Sequence, residues 1–310
     1  MKSKDLLSIA QLNAEDIRKL LRLSQDMKEG RRNPKSPGKV LALLFEKPSL
    51  RTKVSFDVAM YQLGGHTIYL PQAEVGLGKR ESVKGVAKVL ERYVDVIAAR
   101  TFAHKTVELL AENAKIPVIN ALSDLEHPCQ ALADLLTIKE KKGKLDGVNV
   151  VYVGDGNNCA HSLLLGCALV GANVRLATPK GYQADKAIIA QAKRFAAKSG
   201  SEIICTQDPR SAVADADVIY TDVWVSMGQE AEAEQRRKDF TGYQVNKKLI
   251  ALAKKDAIFM HPLPAHSGEE ISSGLLEIPQ SVVYDQAENR MHVQKALLAK
   301  LLGVGVRPEK

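Results

Sequence analysis

Ser49, Leu50, Arg51 and Thr52 follow an apolar run that ends at Phe45 and open a helical stretch. Backbone N–H groups at a helix start, two hydroxyls and one guanidinium make a compact cradle for an anion such as phosphate. The same residues also read as an ordinary helix entry, with Ser49 or Thr52 as the cap and Arg51 facing water. Arg100 closes the apolar stretch 94–99. A charge at a strand tip is aimed into a cleft, or else simply meets solvent.

Further along, His127 and Gln130 flank Pro128 where a loop meets a helix. A histidine there can donate one hydrogen bond to a carbonyl oxygen, Gln130 can contact an amide, and Pro128 fixes the backbone between them. A structural histidine would look the same. Gly154 and Gly156 follow a strand and precede a helix that starts near Asn158, which invites a dinucleotide-binding reading. The full G-x-G-x-x-G spacing is missing, and the next strand ends in Thr178-Pro179 without a ribose-binding acid. Asp222 ends a strand and is followed by Ser226, Met227 and Gly228, a loop suited to a cationic substrate or an ordinary connection. Pro262 and Pro264 bracket Leu263, which poses the neighbouring carbonyls rigidly, as an NH₂ group held flat requires. Arg290 sits at the beginning of a last helical stretch.

The elements that must place these residues alternate short apolar runs with longer amphipathic ones, the pattern of βα repeats and parallel sheets. Helices are expected over 14–30, 52–63, 82–93, 105–114 and 129–142, with strands over 39–46, 66–70, 94–100 and 117–121. The polar, glycine-containing stretch 141–147 reads as a hinge. The pattern then restarts: strands over 148–155, 173–179, 202–207, 216–222, 256–262 and 281–285 and helices over 158–171, 184–198, 209–215, 244–254 and 287–302. The fold class is therefore α/β, two doubly wound parallel-sheet domains joined by helices. The first spans 1–142 and the second 148–286. In such sheets ligands bind beyond the carboxyl ends of the strands, where the residues above fall.

Composition narrows the function classes. The chain has 310 residues, 45% hydrophobic and 26% charged, as in ordinary globular proteins. Its net charge of +8 would suit nucleic acid, an anionic surface or a small anionic substrate. Lysines and arginines are interleaved with glutamates, and aromatics are only 5%, so base stacking has little material; no nucleic-acid partner is expected. Cys129, Cys159, Cys167 and Cys205 form no C-x-x-C pair and no zinc spacing. With no apolar stretch of signal or membrane-spanning length, a cytoplasmic protein without a membrane partner is expected.

Taken together, these positions resemble the aspartate/ornithine carbamoyltransferase family over essentially the whole chain. S-x-R-T followed by H-P-x-Q is specific to its carbamoyl-phosphate enzymes, and D-x-x-x-S-M-G to its ornithine branch. The resemblance implies a carbamoyl-phosphate domain that includes a returning C-terminal helix, 287–310, and an ornithine domain. It implies transfer of a carbamoyl group from carbamoyl phosphate to the side-chain amine of L-ornithine, with no cofactor and no metal, in homotrimers or assemblies of trimers. By the same token Ser49, Leu50, Arg51, Thr52, Gly76, Arg100, His127, Gln130, Pro262, Leu263 and Arg290 would bind carbamoyl phosphate. Asn158, Asp222, Ser226 and Met227 would bind ornithine, and Arg51, Arg100, His127 and Asp222 would carry the catalysis. Two positions depart from the pattern. Pro262 stands where the ornithine branch has cysteine and the aspartate branch has proline, which taken alone points to aspartate. Gly76 stands where relatives often carry Gln or His toward a phosphate site, a contact that Lys79 or Arg80 would have to replace. Transcarbamylases for aspartate or acylated ornithine, a nicotinamide-dependent dehydrogenase and a basic nucleic-acid binder are the competing readings.

Overall fold

A computed structural model describes residues 3–226 and 228–304. Two compact units divide the chain, Met1–Ala133 with Glu288–Lys310 and Asp134–Ala287.

In the first unit, α1 (Ala14–Lys28) is followed by β1 (Val40–Phe45), α2 (Leu50–Gln62), β2 (His66–Pro71) and the single turn α3 (Gln72–Val75). Then come α4 (Val83–Tyr93), β3 (Val96–Arg100), α5 (His104–Asn113), β4 (Val118–Leu122) and α6 (Pro128–Lys142), which runs past the unit boundary. The sheet is parallel throughout, in the order β2-β1-β3-β4. Strands β1, β3 and β4 are buried along almost their whole length, which is why they are written as unbroken Leu, Val, Ile and Ala runs. Ala42, Leu44, Ile97 and Ala99 from the sheet pack with Val86, Val107 and Leu110 from the helices. The chain order reverses between β1 and β3, where Phe45 pairs with Arg100. Their carboxyl ends therefore open on a crevice that takes residues 46–52 and Arg100.

The second unit repeats the logic with β5 (Asn149–Val153), α7 (Asn158–Val170), β6 (Asn173–Ala177), α8 (Lys186–Ser199), β7 (Ile203–Thr206) and α9 (Pro209–Val213). It continues through β8 (Val218–Thr221), α10 (Ala233–Asp239), α11 (Lys247–Ile250), β9 (Ile258–Met260) and the start of α12 (Val283–Leu301). The order β7-β6-β5-β8-β9 is again all parallel, and its reversal lies between β5 and β8, where Val153 pairs with Thr221. Gly154–Asn158 and Asp222 leave from these two strand ends. Trp224, Phe240, Tyr243 and Phe259 centre the unit's core. From Glu288 on, α12 falls in the first unit.

Three expectations need correction. The stretch 281–285 is not a strand: Ser281 makes one bridge to Phe259, and α12 begins at Val283 rather than 287. Arg290 is thus well inside that helix and not at its beginning. The helix expected over 244–254 is only the turn Lys247–Ile250, capped by Asn246, while the unforeseen α10 lies upstream.

Candidate active site

At the end of β1 the chain enters α2 through Ser49, whose extended backbone (φ −162°) stops the helix and whose Oγ accepts the Thr52 N–H at 3.3 Å. Leu50 is 73% exposed, and Arg51 beside it is half-buried. Thr52 is different. Its side chain is fully buried, and its hydroxyl accepts from Ser49 Oγ at 3.1 Å and from Arg290 Nη2 at 2.8 Å. Thr52 therefore orients Arg290, a residue 238 positions away in sequence, against the helix start.

Arg100, His127, Gln130 and Arg290 are all nearly buried, at 8%, 4%, 1% and 3% exposure. Burial pushes the His127 imidazole well below its usual range, and the positive charges of Arg290, Arg100 and Lys47 push it further the same way. A neutral imidazole at this spot can donate a hydrogen bond but does not carry charge through the neutral pH range. Lys47, which the sequence did not single out, is half-buried, lies over the Phe102 ring at 5.0 Å and is itself lowered by burial and by Arg100. Several cations gathered around one uncharged ring make the local potential positive, which favours an anion. Cys129 next to His127 is no nucleophile, because burial raises its thiol to about 12.

Gly76 ends α3 in the left-handed conformation (φ +63°), and a Cβ there would stand 2.7 Å from that of Arg80. The position thus has a backbone reason to be glycine. Arg80 turns its guanidinium onto the Glu74 carbonyl at 2.6 Å, and Lys79 is exposed.

In the second unit Asn157 caps α7, its Oδ1 accepting from the N–H groups of Cys159 and Ala160. Its amide donates to Asp222 Oδ2 at 2.9 Å. Asp222 is 7% exposed and its other oxygen accepts the Val223 N–H at 2.8 Å. Asn158, the expected ligand, is the first residue of α7 beside this pair. The glycine at 156 answers a packing demand, because a Cβ there would lie 2.2 Å from the Ala184 nitrogen. No nucleotide need be invoked for it.

The loop after Asp222 is anchored by a residue absent from the sequence expectations. Buried Arg236 of α10 donates through Nη1 to Asp155 Oδ2 at 2.9 Å and to the Trp224 carbonyl at 3.0 Å, and through Nε to Glu232 at 2.9 Å. Burial raises Asp155 to about 6 despite the Arg236 charge, with nearby Asp222 adding to the rise. Ser226 is half-buried, with its N–H on Gln229 Oε1 at 3.0 Å. Met227 lies outside the described residues. Pro262 and Leu263 follow β9 in a turn where Leu263 takes φ +58°.

Ser49, Arg51, Thr52, Arg100, His127, Gln130 and Arg290 thus lie in the first unit, and Asn158, Asp222 and Ser226 in the second. Comparison with known proteins also splits the chain in two, although its second match takes in the whole of α12, and with it Arg290. The carbamoyl-phosphate binding domain of aspartate/ornithine carbamoyltransferases matches residues 4–140, and their Asp/Orn binding domain matches 146–301. The chain belongs to the aspartate/ornithine carbamoyltransferase family. Within that family, it is 54% identical to the ornithine carbamoyltransferase of Pyrococcus horikoshii over 98% of this chain and 97% of that protein. It is 52% identical to that of Anoxybacillus flavithermus over 97% and 98%. The solved ornithine carbamoyltransferase of Pyrococcus furiosus superposes with a TM-score of 0.94 at 53% identity, covering 98% of each chain. Among the described residues no helix is long and apolar enough to cross a membrane.

Proposed function

We propose that the chain is an ornithine carbamoyltransferase, which transfers the carbamoyl group of carbamoyl phosphate to the δ-amine of L-ornithine and releases L-citrulline and phosphate. The observation that carries this reading is the buried, uncharged His127 among Arg100, Arg290 and Lys47, with Arg290 bonded to Thr52 at the start of α2. Phosphate charge rests on Arg51, Ser49 and the N–H groups of the first turn of α2, including that of Leu50. Thr52 holds Arg290 toward the same anion. Arg100 and His127 donate to the carbamoyl oxygen. Gln130 and the carbonyls of Pro262 and Leu263 receive its NH₂.

Asn158 takes the α-carboxylate of ornithine, Asp222 orients the amine, and Ser226 and Met227 belong to the loop that receives it. The uncharged amine forms a bond to the carbamoyl carbon, the bond from that carbon to the phosphate oxygen breaks, and departing phosphate takes the amine's proton. Negative charge grows on the carbamoyl oxygen along the way. Arg100 and His127 therefore stabilise the transition state more than the bound substrate. The reaction so written needs neither a cofactor nor a metal. We place it in arginine biosynthesis in the cytoplasm, in a homotrimer or an assembly of trimers.

One observation favours aspartate as acceptor instead: the proline at 262. Asp222 opposes it, since a buried carboxylate repels a dicarboxylic substrate. Citrulline formed from carbamoyl phosphate and ornithine by the purified chain supports the proposal; carbamoylation of aspartate alone would replace it.

A further inference from the structure

Leu263 is one of two non-glycine residues with positive φ, and the only one in a candidate site segment among the described residues. A branched side chain in the left-handed region persists only where its surroundings dictate the backbone. Here they do. The Leu263 N–H donates to His261 Nδ1 at 2.9 Å. A backbone amide can only donate, so Nδ1 carries the lone pair and the ring hydrogen sits on Nε2. That Nε2 faces Glu270 Oε1 at 3.2 Å, and the same carboxylate accepts the His266 N–H. His261 and Glu270 are both completely buried. On the other side the His261 N–H donates to Gln286 Oε1 at 2.9 Å, and Gln286 Nε2 donates to Asp134 Oδ1 at 2.7 Å. A buried carboxylate and a buried imidazole thus hold a single turn, where glycine would have reached the same φ without them.

We propose that His261 and Glu270 are positioning residues for the carbamoyl group. Glu270 holds the tautomer and ring plane of His261, and His261 holds the peptide of Leu263 so that the Pro262 and Leu263 carbonyls face the carbamoyl NH₂. The inference rests on the proposed function and names which residues set the acceptor geometry of that site. It separates two parts of one ligand. The phosphate end, held at Arg51 and the start of α2, is indifferent to the turn; the NH₂ end depends on it.

Calorimetric titration with carbamoyl phosphate and with inorganic phosphate reads the two ends apart, on wild type, Glu270→Gln, His261→Asn and His261→Ala. Glu270→Gln keeps an acceptor but removes the charge, and is expected to weaken carbamoyl phosphate roughly 5- to 10-fold while phosphate affinity holds. His261→Ala loses more, and His261→Asn, whose amide oxygen can accept the Leu263 N–H, recovers part of it. Unchanged carbamoyl phosphate affinity in Glu270→Gln and His261→Ala overturns the inference, as does parallel loss of both ligands. A wild-type chain that binds no carbamoyl phosphate overturns the proposed function itself and this inference with it.

Discussion

Arg51 stands half-buried at the mouth of α2, while Arg100 and Arg290 are packed beneath the surface. Replacing Arg51 with alanine removes a cation from the departing phosphate, on which charge grows, and turnover with carbamoyl phosphate is expected to fall by about 10²–10³ in steady-state assays. Near-normal turnover would remove Arg51 from the site. Asp155 offers a test by pH. Its carboxyl holds a proton to about pH 6 in the folded chain, against about 3.9 when unfolded. The folded state therefore binds more protons between these values, and the contribution of Asp155 to stability falls as pH rises through that window. Thermal midpoints of wild type minus Asp155→Asn should decline from pH 4 to pH 7; a flat difference contradicts the burial cause. At this scale, the residues legible in sequence were those at strand ends with unusual chemistry. Arg236 was not among them, because it sits in a run of Glu, Gln, Arg and Lys that reads as solvated surface. Only the packing of Asp155 and the Trp224 carbonyl reveals it. Asn157 could have been found, since an asparagine just before an apolar helical stretch is a cap signal.

Helix starts do double duty in this fold. Asn157 caps α7 and braces Asp222 with the same side chain. Asn157→Ala is expected to cost about 1 kcal/mol in chemical denaturation and to raise KM for ornithine. Asn157→Ser should restore most of the stability and little of the KM, because serine caps but reaches Asp222 poorly. If serine restored both equally, Asp222 would not depend on this contact. The strands were legible because buried parallel strands are written as Val, Ile, Leu and Ala runs, and their helices by amphipathic spacing. The misreadings have local causes. Residues 281–285 carry β-branched Val282 and Val283, yet the chain pairs through Ser281 alone before turning into α12. The charged composition of 230–239 hid α10, whose one buried cation, Arg236, sets its place.

On the scale of the whole molecule, a repeated βα pattern announced two parallel sheets, and the chain order within each placed its crevice between β1 and β3 or β5 and β8. What local pattern could not reveal is which side chains meet from far apart in sequence, such as Arg290 on Thr52 or Gln286 on Asp134. Light scattering on a sizing column should give a particle mass that is a multiple of three chains; a monodisperse dimer would contradict the trimer. The central claim is that Arg100, His127 and their neighbours activate carbamoyl phosphate for a cationic amino acid brought by Asp222. Its most direct test is kcat/KM measured in parallel with ornithine, aspartate and N-acetylornithine as acceptors at fixed carbamoyl phosphate. Ornithine should exceed aspartate by at least about 10³-fold, because the buried Asp222 carboxylate repels a second anion, and should also exceed N-acetylornithine. Equal or greater efficiency with aspartate would contradict the account.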